Sequence, residues 1–382
     1  MDLRSMSVVS LMLFWLIVIP GCDWWSEEEI SLDNDFSELI LNADESHEKK
    51  SLESEILELN LNVGDRFPLL KTVKQTLSQS SPNGLNTSTS ELTLLLTINV
   101  EEIRNGDKRM GVRYLSVRYT HDVAGEKLVY DSDSPESQIS ESVQMYHGLV
   151  NNGFSFWIGA DNQIKGLVGF NDFLRRCVQK VPLEQRQSTW MKLYETSSEN
   201  GLANFVDDSI GLLPYSADEQ NKTTVIEVGQ SWIKKRQFTR PSPMYLTTTY
   251  TLKTLSDKVA EIDVFGQVIP SATFGPTGQP NEDIKLTIIS GHCYGDYTID
   301  RETGLPITSR MERHVNMKVE IANGLKFDQR KSIVTTIRAV SETGTATTAG
   351  VRSDSGALQI SATRDSAIKD DQATPAFLAH RQ

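Results

Sequence analysis

Apolar and polar residues alternate with a period of two in several long segments of the chain. Every second residue from Leu92 to Val100 is apolar, and the same alternation recurs in residues 284–288, 315–321 and 333–337. Strict alternation is typical of a strand with one buried face. The polar opposite faces indicate an antiparallel sheet that contacts water on one side. The pattern therefore predicts long antiparallel strands in two separate parts of the chain.

Turn residues separate these predicted strands. Asn105 and Gly106, within "RNGDKR", can supply the positive φ angles that a tight hairpin requires. Residues 300–306, "DRETGLP", and 322–324, "ANG", predict two further hairpins. Within residues 110–119 the apolar phase slips by one position, which predicts a β-bulge or a twist. We therefore expect consecutive strands to form a meander.

The middle of the chain shows a different spacing. Apolar residues recur three or four positions apart in residues 134–149, in 171–178 and again from Trp190 to Pro214. This spacing is typical of amphipathic helices. We therefore predict an α+β fold, namely a curved antiparallel β-sheet with a helical middle segment packed on one face.

The two strand-rich parts open with similar sequences. "NVGDRFPLLKTVKQTL" begins at Asn62 and "EVGQSWIKKRQFT" begins at Glu227. Both contain Val-Gly, then polar residues, an aromatic residue and a basic, alternating run. A weak internal duplication and chance similarity are both compatible with two matches this short.

The amino terminus carries an export signal. Residues 7–19 are almost wholly apolar, which is shorter than the about 20 residues of a membrane-spanning helix and typical of a secretory signal peptide. The sequence "IPGC" at 19–22 resembles the lipobox of bacterial lipoproteins. That resemblance implies cleavage before Cys22, attachment of a diacylglyceryl group to its sulfur and stable anchoring in a membrane. An ordinary signal peptide cut near Gly21 is the alternative.

The negative charge of the chain is concentrated after this signal. The whole chain has a formal net charge of −13, and residues 23–58 hold thirteen acidic residues against Lys49 and Lys50. The part from Leu59 onward is therefore close to neutral, which argues against a nucleic-acid partner. Residues 23–58 are predicted to be a solvated tether.

The last part of the chain is rich in Ser, Thr, Ala and Gly and has no sustained periodicity. Such a composition cannot bury enough apolar surface to offset the entropy of ordering. The predicted organisation is a signal peptide at 1–21, a lipid-anchored acidic tether at 22–58, an α+β body at 59–340 and a disordered tail at 341–382. Within the body, residues 59–130 and 222–340 are predicted to be strand-rich and 134–214 to be helical.

Local motifs of catalysis and cofactor binding are missing from the sequence. It contains no glycine-rich nucleotide loop, no H-E-x-x-H, no C-x-x-C and no G-x-S-x-G. We therefore predict no catalytic residue and no cofactor. His292 and His314 lie at equal distances from the hairpin at 300–306, so we expect them to be cross-strand neighbours. With Cys293 and Glu312 their spacing matches no zinc pattern, and we predict no metal site.

Two cysteines remain once Cys22 is assigned to lipidation. An oxidising compartment would allow Cys177 and Cys293 to form a disulfide. Two buried thiols are the alternative, because free cysteine behaves as a small hydrophobic residue.

Aromatic residues cluster in and after "FSFWIG" at 154–159. They could form part of the core or the wall of an apolar cleft, since a curved sheet and helices both offer apolar faces here. The candidate cleft residues are Phe154, Phe156, Trp157, Phe170 and Phe173.

The layout of curved sheet and helices is similar to that of periplasmic lipoprotein-carrier proteins. The "YTIDRETGLPITS" hairpin and its long flanking strands resemble secreted bacterial families of unknown function. These resemblances imply an exported protein anchored to a bacterial cell-envelope membrane, on its periplasmic or surface face. We expect a non-catalytic module that binds an apolar or lipid-like ligand or an envelope protein. The alternative is a secreted hydrolase whose catalytic residues are scattered along the chain.

Overall fold

The computed structural model describes residues 54–81, 84–134, 143–160, 162–179, 181–183, 186–187, 225–238, 244–270, 284–321 and 324–340. The predicted signal peptide, Cys22, most of the predicted tether, the segment 188–224 and the predicted tail lie outside these residues. The strands are β1 (Ser54–Ile56), β2 (Arg66–Ser81), β3 (Gly84–Arg104), β4 (Asp107–Val123), β5 (Glu126–Asp131), β6 (Gly153–Ile158), β7 (Ile164–Val168), β8 (Val225–Glu227), β9 (Ser231–Phe238), β10 (Met244–Leu255), β11 (Val259–Pro270), β12 (Ile284–Asp300), β13 (Pro306–Ile321) and β14 (Lys326–Ala339). The helices are α1 (Gln144–Leu149) and α2 (Phe170–Val178).

Twelve of these strands form one open antiparallel sheet. Its order is β7-β6-β4-β3-β2-β14-β13-β12-β11-β10-β9, and β5 pairs with the far end of β4. Strands β1 and β8 form a separate two-stranded ladder. Most neighbours in the large sheet are consecutive in sequence, as in a meander. The exception at its centre is β14, the last strand, which pairs with β2, the first long strand.

The predicted α+β class with a helical middle segment is wrong. The two helices with described bounds have six and nine residues, and Leu183, Arg186 and Gln187 are also helical, whereas fourteen strands make up most of the regular structure of the described residues. Part of the segment that was predicted to be helical supplies β6 and β7 to the sheet. The run "FSFWI" alternates with a period of two, and pairing with β4 buries one side of it. Helix α2 forms where helical spacing predicted a helix, over Phe173 to Val178.

The predicted hairpins and the bulge are confirmed. Asn105 and Gly106 have φ angles of 53° and 89° in the turn between β3 and β4. Residues 300–306 connect β12 to β13, which pair along their length. In the ladder of β3 and β4, Leu95 pairs with Ser116 and Leu96 pairs with Tyr114, so Leu115 is the extra residue of a bulge.

The two Val-Gly segments form the same turn. Gly64 has φ 93° and its amide donates to Val100 O at 2.9 Å, while Gly229 has φ 90° and its amide donates to Leu252 O at 2.7 Å. In each case the acceptor residue donates its own amide back to the residue after the glycine, at 2.9 Å and 3.0 Å respectively. Each turn leads into a long strand, β2 or β9. The sequence match therefore reflects equivalent local structure in the two strand-rich parts.

One large apolar core lies on a single face of the sheet, which we call the inner face. It contains residues of β3, β4 and β6 together with Leu252 and Ile262 of β10 and β11. Because strands far apart in the sheet order share this core, the sheet is strongly curved. Helix α1 packs on β4 and helix α2 packs on β6. Neither helix in the described part of the chain has the length and apolar character of a membrane span.

Candidate ligand-binding face

Seven neighbouring strands, β9 to β14 and β2, share one continuous inner face. Burial alternates along β2, where Leu69, Val73 and Leu77 are buried, and along β11, where every second residue from Ala260 to Val268 is buried. Directly paired residues of neighbouring strands lie on the same face of a sheet, so the antiparallel register extends the assignment of faces to all these strands. Each residue of these strands can therefore be placed on the inner or the outer face.

The two faces of these seven strands differ in charge. Among their described residues, no Asp or Glu lies on the inner face. The acidic residues of these strands lie on the outer face: Glu261, Asp263, Asp296, Asp300, Glu312, Glu320 and Asp328. The basic residues with described side chains on the inner face are Lys71, Lys234, Arg313 and Lys331. The inner face is therefore basic, which favours an anion over a cation as its ligand.

Four polar side chains of the inner face are neighbours, and we call them the polar patch: Gln75, Arg313, Gln329 and Lys331. Lys331 pairs with Val315, so Arg313 lies diagonally across from it, at about 7 to 8 Å between Cα atoms. Gln329 is two residues from Lys331 on the same strand and therefore on the same face. Gln75 lies diagonally across from Lys331 on β2.

Gln329 is the most unusual member of the polar patch. Its side chain is 2% exposed, and neither its amide oxygen nor its amide nitrogen has a hydrogen-bond partner in the part of the chain that the structure describes. Leaving a buried polar group unpaired costs about 1 to 3 kcal/mol. Native structures contain few such groups, and each calls for an explanation such as an ordered water, an ion or another bound group.

An apolar cluster adjoins the polar patch on the inner face. Leu77 and Val315 flank Lys331 on the two neighbouring strands, and Met317 pairs with Gln329. These three residues belong to a group that is separate from the main core and that we call the second apolar cluster: Leu77, Met244, Leu246, Val268, Ile288, Cys293, Val315 and Met317. The inner face therefore combines an apolar surface with a small set of basic and amide groups beside it.

The structure brings four of the five predicted cleft residues together. The rings of Phe154, Phe170 and Phe173 lie within 5.1 to 5.7 Å of one another, between β6 and α2. Phe156 is fully buried in the same core. Trp157 lies on the opposite face of β6, where the Arg104 guanidinium is 5.9 Å from its ring centroid. A ligand site between the four phenylalanines stays a prediction.

The expected pairing of the two histidines is confirmed, and it lies on the outer face. His292 pairs with His314, with ring centroids 5.0 Å apart. His314 Nε2 lies 3.0 Å from Glu312 Oε1. A hydrogen bond from the Tyr294 hydroxyl, helped by His314 and Arg310, lowers the pKa of the Glu312 carboxyl below its ordinary value. The same hydrogen bond raises the pKa of Tyr294.

These side chains form a polar network, and no group of three or more His, Cys, Asp or Glu in the described ranges has the arrangement of a metal site.

The two body cysteines are buried and form no disulfide in the structure. Cys177 is a residue of α2 and belongs to the main core, whereas Cys293 belongs to the second apolar cluster. They therefore occupy different parts of the fold, and the arrangement is that of two buried thiols.

The sequence contains a signal for the polar patch that its alternation alone did not reveal. In "LLKTVKQTL", Lys71 and Gln75 occupy the apolar phase of β2, between Leu69, Val73 and Leu77, and they are 1% and 4% exposed. Polar residues in the buried phase of a strand cost free energy unless a partner compensates them. Such breaks in the alternation are therefore worth noting in a sequence.

The fold and this face together define a predominantly antiparallel β protein with a basic and partly apolar inner sheet face. The chain belongs to a family of unknown function (DUF6263), whose sequence profile matches residues 105–306. That match runs from the turn after β3 to the start of β13 and includes the region around Cys293. A search of the curated proteins found no match.

Three solved structures give partial matches. A lipovitellin structure is 10% identical with a TM-score of 0.39, and the match covers 78% of this chain and 27% of that one, so this chain spans about a quarter of the lipovitellin chain. A domain described as an outer membrane lipoprotein-sorting protein from Vibrio parahaemolyticus is 7% identical with a TM-score of 0.11, covering 71% and 86%. An outer membrane channel from Pseudomonas putida F1 is 8% identical with a TM-score of 0.17, covering 74% and 97%.

Proposed function

We propose that the protein is a non-catalytic module that binds an apolar or lipid-like ligand on the inner face of β9 to β14 and β2. The observation that supports this proposal is the contact between the second apolar cluster and the polar patch, which contains the unpartnered amide of Gln329. Ligand sites are mostly apolar and contain a small number of placed polar groups. The inner face has this composition.

We also propose that the protein is exported and anchored to a bacterial cell-envelope membrane through lipid on Cys22. The support is the sequence of the first part of the chain, where a short apolar segment ends at "IPGC". Acyl chains on Cys22 would hold the protein at the membrane, because each buried methylene contributes about 0.8 kcal/mol. A binding module anchored in this way would lie close to the acyl chains of the membrane lipids.

The anchor is tested by replacing Cys22 with serine in the full chain. Metabolic labelling with a radioactive fatty acid should label the wild-type protein and not the variant, because serine offers no thiol for the diacylglyceryl transfer. Cys293→Ser is the matched control, and its labelling should equal that of the wild type. Labelling that persists in the Cys22→Ser protein would refute the lipobox assignment.

Ligand binding is tested with a fluorescent acyl-chain probe and a pair of adjacent substitutions on β10. Thr248 lies on the inner face and is 6% exposed, whereas Thr247 lies on the outer face. We expect Thr248→Phe to weaken the affinity for the probe by about tenfold, because the added ring occupies the inner face where the probe would lie. The larger side chain should also cost about 1 to 3 kcal/mol in stability. Thr247→Phe should leave the affinity within a factor of about two.

Unlabelled fatty acid should displace the probe and should also raise the melting temperature of the wild-type protein, because a ligand that binds only the folded state stabilises it. A closed core would exclude the probe, since native packing leaves few voids larger than a water molecule. No probe binding and no thermal shift would refute the proposed ligand. A role in binding another envelope protein would then be the remaining one.

A further inference from the structure

We infer that the ligand of the inner face is an amphiphile with an acyl chain and an anionic headgroup, and that Arg313, Lys331 and Gln329 bind the headgroup. This inference rests on the proposed function and makes the class of ligand specific. Its basis is the distribution of charge over the two faces and the position of one unpartnered amide.

The first step is the sign of the charge. The inner face of the seven strands carries basic residues and no described acidic residue, while the acidic residues of the same strands lie on the outer face. Basic side chains offer hydrogen-bond donors and no acceptors. An anionic group gains both attraction and charge-assisted hydrogen bonds, which are stronger than neutral ones.

The second step is the geometry of the polar patch. Arg313 and Lys331 are diagonal neighbours on adjacent strands, so two long basic side chains can reach one carboxylate or phosphate between them. Gln329 follows on the same face of the same strand as Lys331. Its buried amide nitrogen has no described hydrogen-bond partner, and it can donate to an oxygen of the same headgroup.

The third step is the direction of the acyl chain. Val315 and Leu77 lie on either side of Lys331, and Met317 lies beside Gln329. The apolar surface therefore begins directly at the polar patch and continues through Ile288 and Val268. A headgroup at the polar patch places its chain on the second apolar cluster, where burial of each methylene is favourable.

The test compares four ligands on the full wild-type chain by calorimetry or by displacement of the acyl probe. Palmitate should bind at least tenfold more tightly than hexadecanol, which has the same chain and no charge. Hexadecyltrimethylammonium, with a cationic headgroup, should bind more weakly than hexadecanol. Acetate, the headgroup without the chain, should not bind measurably. Equal affinity for palmitate and hexadecanol would overturn the inference.

Three substitutions then assign the headgroup site. Arg313→Met and Lys331→Met should each weaken palmitate binding by about tenfold and leave hexadecanol binding unchanged, because they remove charge and keep an apolar side chain of similar length. Arg330→Met is the matched control, since Arg330 adjoins Lys331 on β14 and faces outward. It should change neither affinity. A uniform loss for both ligands in the Arg313 and Lys331 variants would refute their role at the headgroup.

Gln329→Leu separates a ligand role from a purely structural one. Replacing an unpartnered buried amide by an apolar group of similar size should raise the melting temperature, and it should weaken palmitate binding by about threefold to tenfold. A variant that is both less stable and unaltered in binding would contradict the assignment of Gln329.

Binding of hexadecanol with no preference for palmitate would refute the charged headgroup and leave the proposed function intact, whereas no binding of any acyl chain would refute both.

Discussion

Replacing Phe156 by alanine should lower the free energy of unfolding by about 3 to 5 kcal/mol. Phe156 is fully buried on the inner face of β6, where it packs in the main core with Phe154, whose ring centroid is 6.4 Å away. Removing the ring loses the free energy of burying its apolar surface and leaves a cavity. Because β6 is paired with a strand on each side, the sheet cannot move to close that cavity. Urea unfolding followed by circular dichroism measures the loss, with the slope of the transition checked for constancy.

Trp157→Ala is the control for this prediction. Trp157 is the next residue of β6, lies on the opposite face and contacts the Arg104 side chain at 5.9 Å. Its replacement removes a partly buried ring and a cation–π contact, so we expect a loss of about 1 kcal/mol. Equal losses for the two variants would contradict the assignment of the two faces of β6.

The second large effect is expected from Asn152→Ala, with a loss of about 2 to 4 kcal/mol. Asn152 is 7% exposed and its side chain joins both helices to the sheet. Its Nδ2 donates to Gly148 O and Phe173 O, each at 3.2 Å, and its Oδ1 accepts from the Gly153 amide at 2.9 Å and from Arg176 Nε at 2.7 Å. Alanine would leave these groups without their partner in a buried position.

Asn316→Ala is the matched control for Asn152. Asn316 is exposed and its amide makes one described side-chain hydrogen bond, to Ser290 Oγ at 3.0 Å. Substitutions at such surface positions usually change stability by less than about 0.5 kcal/mol. The same urea titration compares the two variants. A similar small loss at both positions would show that the Asn152 network contributes little to joining the helices to the sheet.

Much of the sheet can be predicted from the sequence because its signals are local. Strand β3 is long and its alternation from Leu92 to Val100 is strict, so its type and its buried face follow from the pattern. The turn at Asn105-Gly106 follows from the conformations that these residues tolerate. The slip of the apolar phase near Leu115 marks the bulge, since one extra residue reverses the faces.

The middle of the chain could not be predicted in the same way. The run "FSFWI" is too short for its periodicity to decide between strand and helix, and the neighbouring segments have helical spacing. What makes it a strand is its pairing with β4, where Met110 lies opposite Phe156. Satisfying the backbone hydrogen bonds of a sheet edge outweighs a weak local preference. The two described helices then form on either side of β6.

The candidate site also has features that follow from the local sequence and features that only the tertiary structure sets. The sequence alone determined where strands alternate and where they turn, because these features depend on residues close together in the chain. Lys71 and Gln75 interrupt the apolar phase of β2 in the same local way. The tertiary structure decided that β14 pairs with β2 and that Gln329 thereby joins Gln75 on one face. It also decided the charge difference between the two faces, which depends on the register of every ladder. Strand order and register are set by the burial of apolar surface between distant segments, and no local preference encodes that choice.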